Sequence, residues 1–383
     1  MDFELDPEQH LLRDSVNRML DDHYSFADRQ RYLAAEPGWS RGVWQHYADM
    51  GLLALDGSNG EASRDDLVHL MLVMEAQGRV LALEPYIAAV VQCGSLLRMA
   101  GTQAQRSSLL PPLEAGTHLL ALAHTEVQAR YDASDVATAA RRDGTGWRLS
   151  GAKALVPHGD TADTLLVSAR LHGARRDADG IAIFTVPRDA PGVMLRPCAG
   201  YDGHRAADIV LTDVAVTAEA VVGPPGGALP LLEHATALGI VAVAAEAVGC
   251  MQALLDITVD YMQTREQFGR PIGTLQALRH RAVDMLVAVE QARSMTYFAT
   301  MMAADGDPMQ RARAIAATKV QVGKSARLVG QGAIQLHGGI GMTMEYRAGH
   351  YFKRLTAIET QFGDVDHHLQ RLAAMGGIFA AAS

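Results

Sequence analysis

The order of three sequence textures is the feature that most constrains how this chain can fold. Apolar residues recur at helical spacing near the N-terminus, as Leu12 and Val16 do, and short β-branched segments such as "GIAIFTVPR" occupy the middle. Helical patterning then returns and continues to the end. This order predicts an α+β fold: an N-terminal helical domain (1–116), a central β-barrel-like domain (117–228) and a C-terminal four-helix bundle (229–383).

The first helix has a clear start signal in the sequence. Pro7 is suited to the first helical position, because its missing N–H would have no helical partner there. Asp6, just before it, is a preferred N-cap residue. We therefore expect a helix that begins at Pro7 and is capped by Asp6.

Composition and charge exclude several classes of protein. The formal net charge of −9 argues against nucleic acid as a partner, since phosphate binding needs a basic face. Cys93, Cys198 and Cys250 lie far apart without a CxxC pair, which favours reduced thiols and a cytoplasmic setting. The start "MDFELDPEQH" has neither the basic nor the apolar run of a signal peptide.

One apolar segment, residues 235–255, is long enough to suggest a membrane span. It holds Glu246 and Gln252 and is rich in alanine and glycine, so a buried helix of a soluble bundle is the better interpretation, and no membrane partner is expected. The usual nucleotide-binding loops are missing, because there is no GxGxxG after a strand and no GxxxxGK[ST]. No set of Cys and His has zinc-ligand spacing either, so no metal is expected.

Four motifs in order resemble the acyl-CoA dehydrogenase family. They are "LAHTE" at Leu122, "LSGAKALVPHGDTADTLLVSAR" at Leu149, "REQFGRPIGTLQALRHRAVDM" at Arg265 and "QLHGGIGMTMEY" at Gln335. The resemblance extends over essentially the whole chain. It implies FAD-dependent α,β-dehydrogenation of an acyl-CoA thioester, an electron-transfer flavoprotein or similar acceptor, and a homotetramer or α2β2 heterotetramer.

The resemblance also implies which residues hold the ADP part of a neighbouring subunit's FAD. Arg265 offers a fork of donors suited to pyrophosphate oxygens, and Phe268 offers a flat apolar surface for adenine. Gln335 belongs to the same set. Gly338 and Gly339 allow backbone amides to approach the dinucleotide closely.

On the flavin-ring side, the resemblance assigns Thr125 as a hydroxyl donor and Ser134 as a second polar contact. The loop between them departs from the family pattern, because it is about three residues longer and lacks the usual proline and glycine. Leu155 and Pro157 stand where many members carry tryptophan and threonine, so any contact near Val156 is expected from the backbone.

The base that removes the substrate's α-proton is not evident at the usual position. Counting from Arg354 in step with the family's C-terminal motif places Gly363, not glutamate, at that position, with Asp364 one residue out of register. The stretch "GDVDHH" could supply ligands or bases, but adjacent histidines on a helix point about 100° apart. We expect a polar turn in which Asp364 and Asp366 cap backbone amides, and keep Asp364 as the second candidate for the base.

Some members of the family carry the base on the long helix that precedes "REQFG", at a place that matches Gly239. Glu246 lies two helical turns further along nearly the same face, and is the first candidate for the base. The small residues near it, such as Gly249 and Cys250, are expected to leave a groove beside its carboxylate. The alternative for a buried carboxylate is an ion pair with an arginine from another helix.

Two other functions remain open on this resemblance. The chain could be a partner subunit without a base in a heterotetramer, or a related flavin oxidase or monooxygenase on the same fold.

Overall fold

The computed structural model describes residues 5–54 and 62–377. Its N-terminal part is helical, as predicted. Asp6 accepts a hydrogen bond from the backbone N–H of Gln9, whose side chain in turn accepts from the Asp6 N–H, so the predicted cap is confirmed as a capping box. The helices are α1 (Pro7–His23), α2 (Phe26–Ala34), α3 (Arg41–Asp49), α4 (Arg64–Val80), a π-helix (Ile87–Gly94), α5 (Ser95–Ala100) and α6 (Gln103–Glu114).

The central part is a mixed eight-stranded sheet in the order β6-β7-β3-β2-β4-β5-β8, with β1 paired to β4. Within the described residues β6 and β8 are not paired to each other, so the sheet is open and "barrel-like" describes it only loosely. The strands are β1 (Leu120–Ala123), β2 (Ala139–Asp143), β3 (Gly146–Pro157), β4 (Thr164–Arg170), β5 (Ile181–Pro187), β6 (Val193–Ala199), β7 (Arg205–Val216) and β8 (Val221–Val222).

Two sheet pairings matter for the site. The short strand β1 runs parallel to β4, with Ala123 opposite Val167, so that the chain leaving β1 runs beside the middle of β4. Strand β3 pairs with β7 and has a register shift between Lys153 and Val156. Such a bulge bends the strand and changes which way its residues face.

The C-terminal part is helical again, as predicted. Its elements are α7 (Leu229–Thr264), the short strands β9 (Glu266–Gln267) and β10 (Arg270–Pro271), α8 (Gln276–Ala303), α9 (Pro308–His337), α10 (Arg347–Thr360) and α11 (Val365–Ala374). Helix α7 is long and apolar enough to cross a membrane, but 94% of its apolar window is buried inside the protein. Such burial is typical of a core helix, which is what the sequence predicted for this segment.

By internal contacts the chain divides into two compact units. The first comprises Met1–Arg31, Leu67–Ala82 and Ile240–Ser383, and the second comprises Tyr32–Asp66 and Leu83–Gly239. The three domain ranges expected from the sequence follow the order of element types instead, and they stay a prediction.

Within the first unit, α4 and α7 cross at close range. A Cβ on Gly78 would collide with the Glu246 carbonyl oxygen, and one on Gly249 would collide with the Glu75 carbonyl oxygen. Glycine at both positions therefore lets the two backbones touch. The Cys250 thiol adds a hydrogen bond to the Gly78 carbonyl oxygen at 3.1 Å.

Candidate functional site

An aromatic stack joins two of the sequence motifs in the first unit. The ring of Tyr261, near the end of α7, stacks on His337 at the end of α9, with ring centroids 4.6 Å apart. Tyr346 packs against His337 at 5.2 Å. Because Arg265 directly follows α7 and Gly338 directly follows α9, the stack holds both motifs at one end of this helical unit.

The β9–β10 hairpin presents Arg265 and Phe268 to the outside. Phe268 is 91% exposed and occupies the left-handed region of backbone space with φ of 55°. The Arg265 side chain is exposed and makes no hydrogen bond or ion pair with the described residues. The Arg265 guanidinium and the Phe268 ring are therefore accessible to another molecule, and their role in binding FAD stays a prediction.

The turn after α9 presents backbone rather than side chains. Gly338 caps the helix with φ of 62°, a conformation that glycine adopts without strain. A Cβ on Gly338 or on Gly339 would meet no atom within 4 Å. Gln335, one turn earlier, is exposed as well. The turn is thus sterically open to an approaching molecule, while the Gly338 N–H itself donates to the Ile334 carbonyl oxygen as the helix cap.

In the second unit, the loop that follows β1 carries Thr125. Its side chain is exposed, and its hydroxyl has no hydrogen-bond partner in the described residues. The carbonyl oxygen of Thr125 accepts from the backbone N–H of Ala154 at 2.8 Å, which ties the loop to β3. A hydroxyl held this way can donate to a ring that lies against the loop.

The other two residues assigned to the flavin ring are less available. The Ser134 hydroxyl donates to Asp132 at 2.7 Å, so its proton is already committed in this conformation. The Val156 side chain is buried in the core of the sheet, as expected for a position that would contribute only backbone. Leu155 is instead the residue that points outward, being 65% exposed at φ of 49°.

A polar cluster beside Thr125, buried except for the half-buried His124, was not predicted. It consists of His124, Glu126, Lys153 and Ser168. The motif letters "HTE" and "GAK" contained three of these residues, but only the parallel pairing of β1 with β4 brings Ser168 to them.

The C-terminal polar stretch forms the expected turn with Asp364 as its cap, whereas Asp366 lies in the first turn of α11 and accepts no backbone hydrogen bond within the described residues. Asp364 is the N-cap of α11 and accepts from the His367 N–H at 2.8 Å. Among the residues that the structure describes, no group of three or more His, Cys, Asp or Glu side chains could hold a metal ion. The carboxylate of Asp364 thus has a structural role, and its candidacy as base stays a prediction.

A buried lysine, Lys319, holds the turn between α10 and α11 in place. Lys319 donates to the carbonyl oxygens of Ile358, Glu359 and Gly363 at 2.8–2.9 Å. Burial lowers the pKa of Lys319 to about 8, although the nearby carboxylates Glu359 and Asp364 act in the opposite direction. The ammonium group therefore neutralises the carbonyl end of α10.

Imidazole rings fill the space beside Gly363, the position at which the family resemblance would have placed a glutamate. Gly363 has φ of 108°, and a Cβ there would lie 2.6 Å from both His367 Cδ2 and His368 Nε2. His368 is buried and its Nε2 donates to the Phe362 carbonyl oxygen at 2.9 Å. A larger side chain at 363 would require this turn to move.

Glu246, the first candidate for the base, lies in a buried ion pair. Arg354 donates to both carboxylate oxygens, at 2.5 Å from Nε and 2.6 Å from Nη2. Both side chains are nearly inaccessible. This is the alternative that the sequence left open: a pair with an arginine from another helix.

The prediction of an open groove beside Glu246 was wrong. Gly249 and Cys250 are small because α4 packs directly against them, not because they line an open space. The two N–H donors of Arg354 occupy the carboxylate's best acceptor directions. The role of Glu246 as a base thus remains a prediction, and the geometry favours a structural role.

Each unit presents exposed polar groups of its own. In the first unit, the unpaired Arg265 guanidinium and the open glycine turn are suited in chemistry to a pyrophosphate. In the second unit, the Thr125 hydroxyl is suited to donate to a ring. Family models for the acyl-CoA dehydrogenase N-terminal, middle and C-terminal domains match residues 6–117, 121–214 and 231–376. The chain belongs to the acyl-CoA dehydrogenase family, uses FAD and is an oxidoreductase that acts on CH–CH groups.

Three relatives illustrate the similarity. The "Probable acyl-CoA dehydrogenase YngJ" of Bacillus subtilis is 30% identical and covers 97% of this chain and 98% of its own. A solved structure of a variant of the steroid ACAD Tcur3481-Tcur3483 has 30% sequence identity to this chain and a TM-score of 0.84. The match covers 96% of this chain and 97% of the other. The structure of butyryl-CoA dehydrogenase from Megasphaera elsdenii has 25% sequence identity to this chain and a TM-score of 0.87. The match covers 97% of this chain and 98% of the other.

Proposed function

We propose that this chain oxidises an acyl-CoA thioester to the trans-2-enoyl-CoA and passes the electrons to an electron-transfer flavoprotein or similar acceptor. The observation that carries the proposal is the exposed set of Arg265, Gly338 and Gly339, held at one end of the first unit by the Tyr261–His337 stack. Within the described chain the Arg265 guanidinium is unpaired and the glycine turn is sterically open, which suits an anionic dinucleotide.

We assign each of the exposed residues one role in binding FAD. FAD, when bound, supplies the hydride acceptor. Arg265 holds the pyrophosphate with its fork of N–H donors, and the Gly338–Gly339 turn, which has no side chains, lets the dinucleotide approach the backbone closely. The Thr125 hydroxyl donates to the ring system and fixes its orientation. Phe268 covers the adenine with its exposed face.

Assembly is part of this proposal, because Arg265 and the glycine turn would serve the FAD of a neighbouring subunit. Helices α8 and α9 also expose an apolar strip, formed by Val283, Leu286, Val287 and Leu328. Exposed apolar residues grouped on neighbouring helices are typical of a protein interface. A homotetramer or an α2β2 heterotetramer would bury this strip, and light scattering would distinguish either from a monomer.

A second candidate is a paired subunit that relies on another chain for the base. Two observations favour it: the Glu246 carboxylate is held by Arg354, and the turn at Gly363 carries an Asp364 that caps a helix. The similar steroid ACAD bears two chain names, Tcur3481 and Tcur3483, which supports assembly from two different chains. In such a pair this chain would complete the flavin site.

One experiment separates the two candidates. The chain is purified alone and together with a co-expressed acyl-CoA dehydrogenase chain from the same source, and FAD content and enoyl-CoA formation are measured. CoA thioesters with short, long, branched and ring-bearing acyl groups serve as probes. Turnover by the chain alone supports the first candidate, whereas FAD binding with turnover only in the pair supports the second. Absence of FAD from both preparations would contradict the proposal.

A further inference from the structure

A buried lysine ties together the loop that carries Thr125. The Lys153 ammonium donates to Glu126 Oε1 at 2.6 Å, to Ser168 Oγ at 3.0 Å and to the His124 carbonyl oxygen at 3.2 Å. Its three N–H bonds are therefore all used. Its side chain is fully buried.

The carboxylate of Glu126 also accepts hydrogen bonds from groups other than Lys153. It accepts from the backbone N–H groups of Ala137 and Thr138 at 2.8 and 3.0 Å, and from the Gln128 side chain at 2.8 Å. Burial alone would raise the pKa of Glu126, but the Lys153 charge and these bonds lower it to about 2. Burial lowers the pKa of Lys153 to about 8, against the attraction of Glu126. At neutral pH both groups are thus charged.

The same lysine is linked to the His124 ring through Ser168. Ser168 Oγ accepts from Lys153 at 3.0 Å and is hydrogen-bonded to His124 Nδ1 at 2.9 Å. Burial, with help from the Lys153 charge, lowers the pKa of His124 to about 3, and the ring is neutral.

Thr125 lies between two residues that Lys153 holds. Its predecessor His124 is bound through its carbonyl oxygen, and its successor Glu126 through its carboxylate. Its own carbonyl oxygen accepts from Ala154, the neighbour of Lys153 on β3. The backbone of residues 124–126 is therefore fixed on both sides, while the Thr125 hydroxyl has no partner among the described residues.

We propose that Lys153 is a positioning residue: through Glu126, Ser168 and His124 it fixes the hydroxyl of Thr125 as a donor to the flavin ring. The proposal rests on the FAD site described above. A purely structural role would not need a charge here, because buried ion pairs add little net stability compared with apolar residues of similar size. A network of directional bonds, by contrast, holds one geometry.

The test replaces Lys153 by Met, which keeps the side-chain length and removes the donors. Glu126 retains its three other N–H donors, so the fold is expected to survive. Arg98→Met is the matched control, since it removes another buried cation of the same unit, bonded to Glu114 at 2.6 Å. Both variants are compared by thermal unfolding, by the visible absorption bands of bound FAD and by FAD affinity.

We expect Lys153→Met to shift the flavin bands and to weaken FAD binding by roughly 10-fold, the loss of about one hydrogen bond. Arg98→Met is expected to lower thermal stability without either change. Thr125→Val should reproduce the Lys153→Met shift, and the double variant should add little to it, because coupled residues are not additive. Additive effects in the double variant would refute the coupling.

If Lys153→Met fails to fold, Ser168→Ala provides the same test with a smaller change. It removes one link of the network and is expected to give a smaller shift of the same bands. Unchanged bands and FAD affinity in either folded variant would overturn the proposal. If the wild-type chain did not bind FAD, the proposed function itself would fail instead.

Discussion

The Glu246–Arg354 pair gives the sharpest test of what this carboxylate does. Glu246→Gln preserves the size of the side chain but leaves the Arg354 guanidinium buried against a neutral amide. Breaking a buried, doubly hydrogen-bonded pair costs about 3–5 kcal/mol. At roughly 2–4 °C per kcal/mol for a large domain, the melting temperature is expected to fall by about 6–20 °C.

The assay measures unfolding and turnover on the same preparations, with turnover expressed per bound FAD. Glu345→Gln is the matched control, because it makes the same substitution at an exposed position of the same unit. A second variant, Glu246→Leu with Arg354→Met, should recover most of the lost stability, since apolar replacement of both partners is often neutral. A Glu246→Gln protein that melts like the wild type but loses turnover by ~10²-fold or more would refute this reasoning, because that is the behaviour of a positioned base.

Three other predictions concern the cofactor and the C-terminal turn. Arg265→Ala should weaken FAD binding about 10- to 100-fold without lowering the stability of the apoprotein. Arg64→Ala, a control at an exposed position, should change neither FAD binding nor stability. Unchanged FAD affinity in Arg265→Ala would count against the proposed role of Arg265. Asp364→Ala should cost about 1 kcal/mol through the lost cap, to be measured by denaturant unfolding, and a loss near zero would argue against capping. The folded pKa of Lys319, about 8, lies below its unfolded value, so the stability of the wild type relative to Lys319→Met should rise as pH increases from about 8 to about 10.5. A stability difference that is constant over that range would contradict the pKa shift.

Local signals made part of the structure predictable. The Asp6 cap depends on neighbours three residues apart, so the sequence alone contains it. The helical, β and helical order follows from residue patterning, and the outward placement of Arg265 and Gly338 agrees with the motifs in which they occur. The capping role of Asp364 was predicted for the same local reason.

Long-range pairing made the rest unpredictable. Glu246 and Arg354 are 108 residues apart, and nothing in either segment specifies the other as its partner. Ser168 reaches Lys153 and His124 only because β1 runs parallel to β4. The groove beside Glu246 was inferred from small residues, but the same residues equally allow two helices to touch, and only the packing decides between these outcomes.

Anaerobic mixing of the FAD-bound protein with an acyl-CoA tests the central claim most directly. Without an external acceptor, each bound FAD can take up one hydride, so loss of the oxidised-flavin absorbance should be matched by an equal amount of trans-2-enoyl-CoA. We predict this one-to-one stoichiometry, either for the chain alone or for its pair with a second chain. Flavin that stays oxidised in both preparations across the whole panel of CoA thioesters would contradict it.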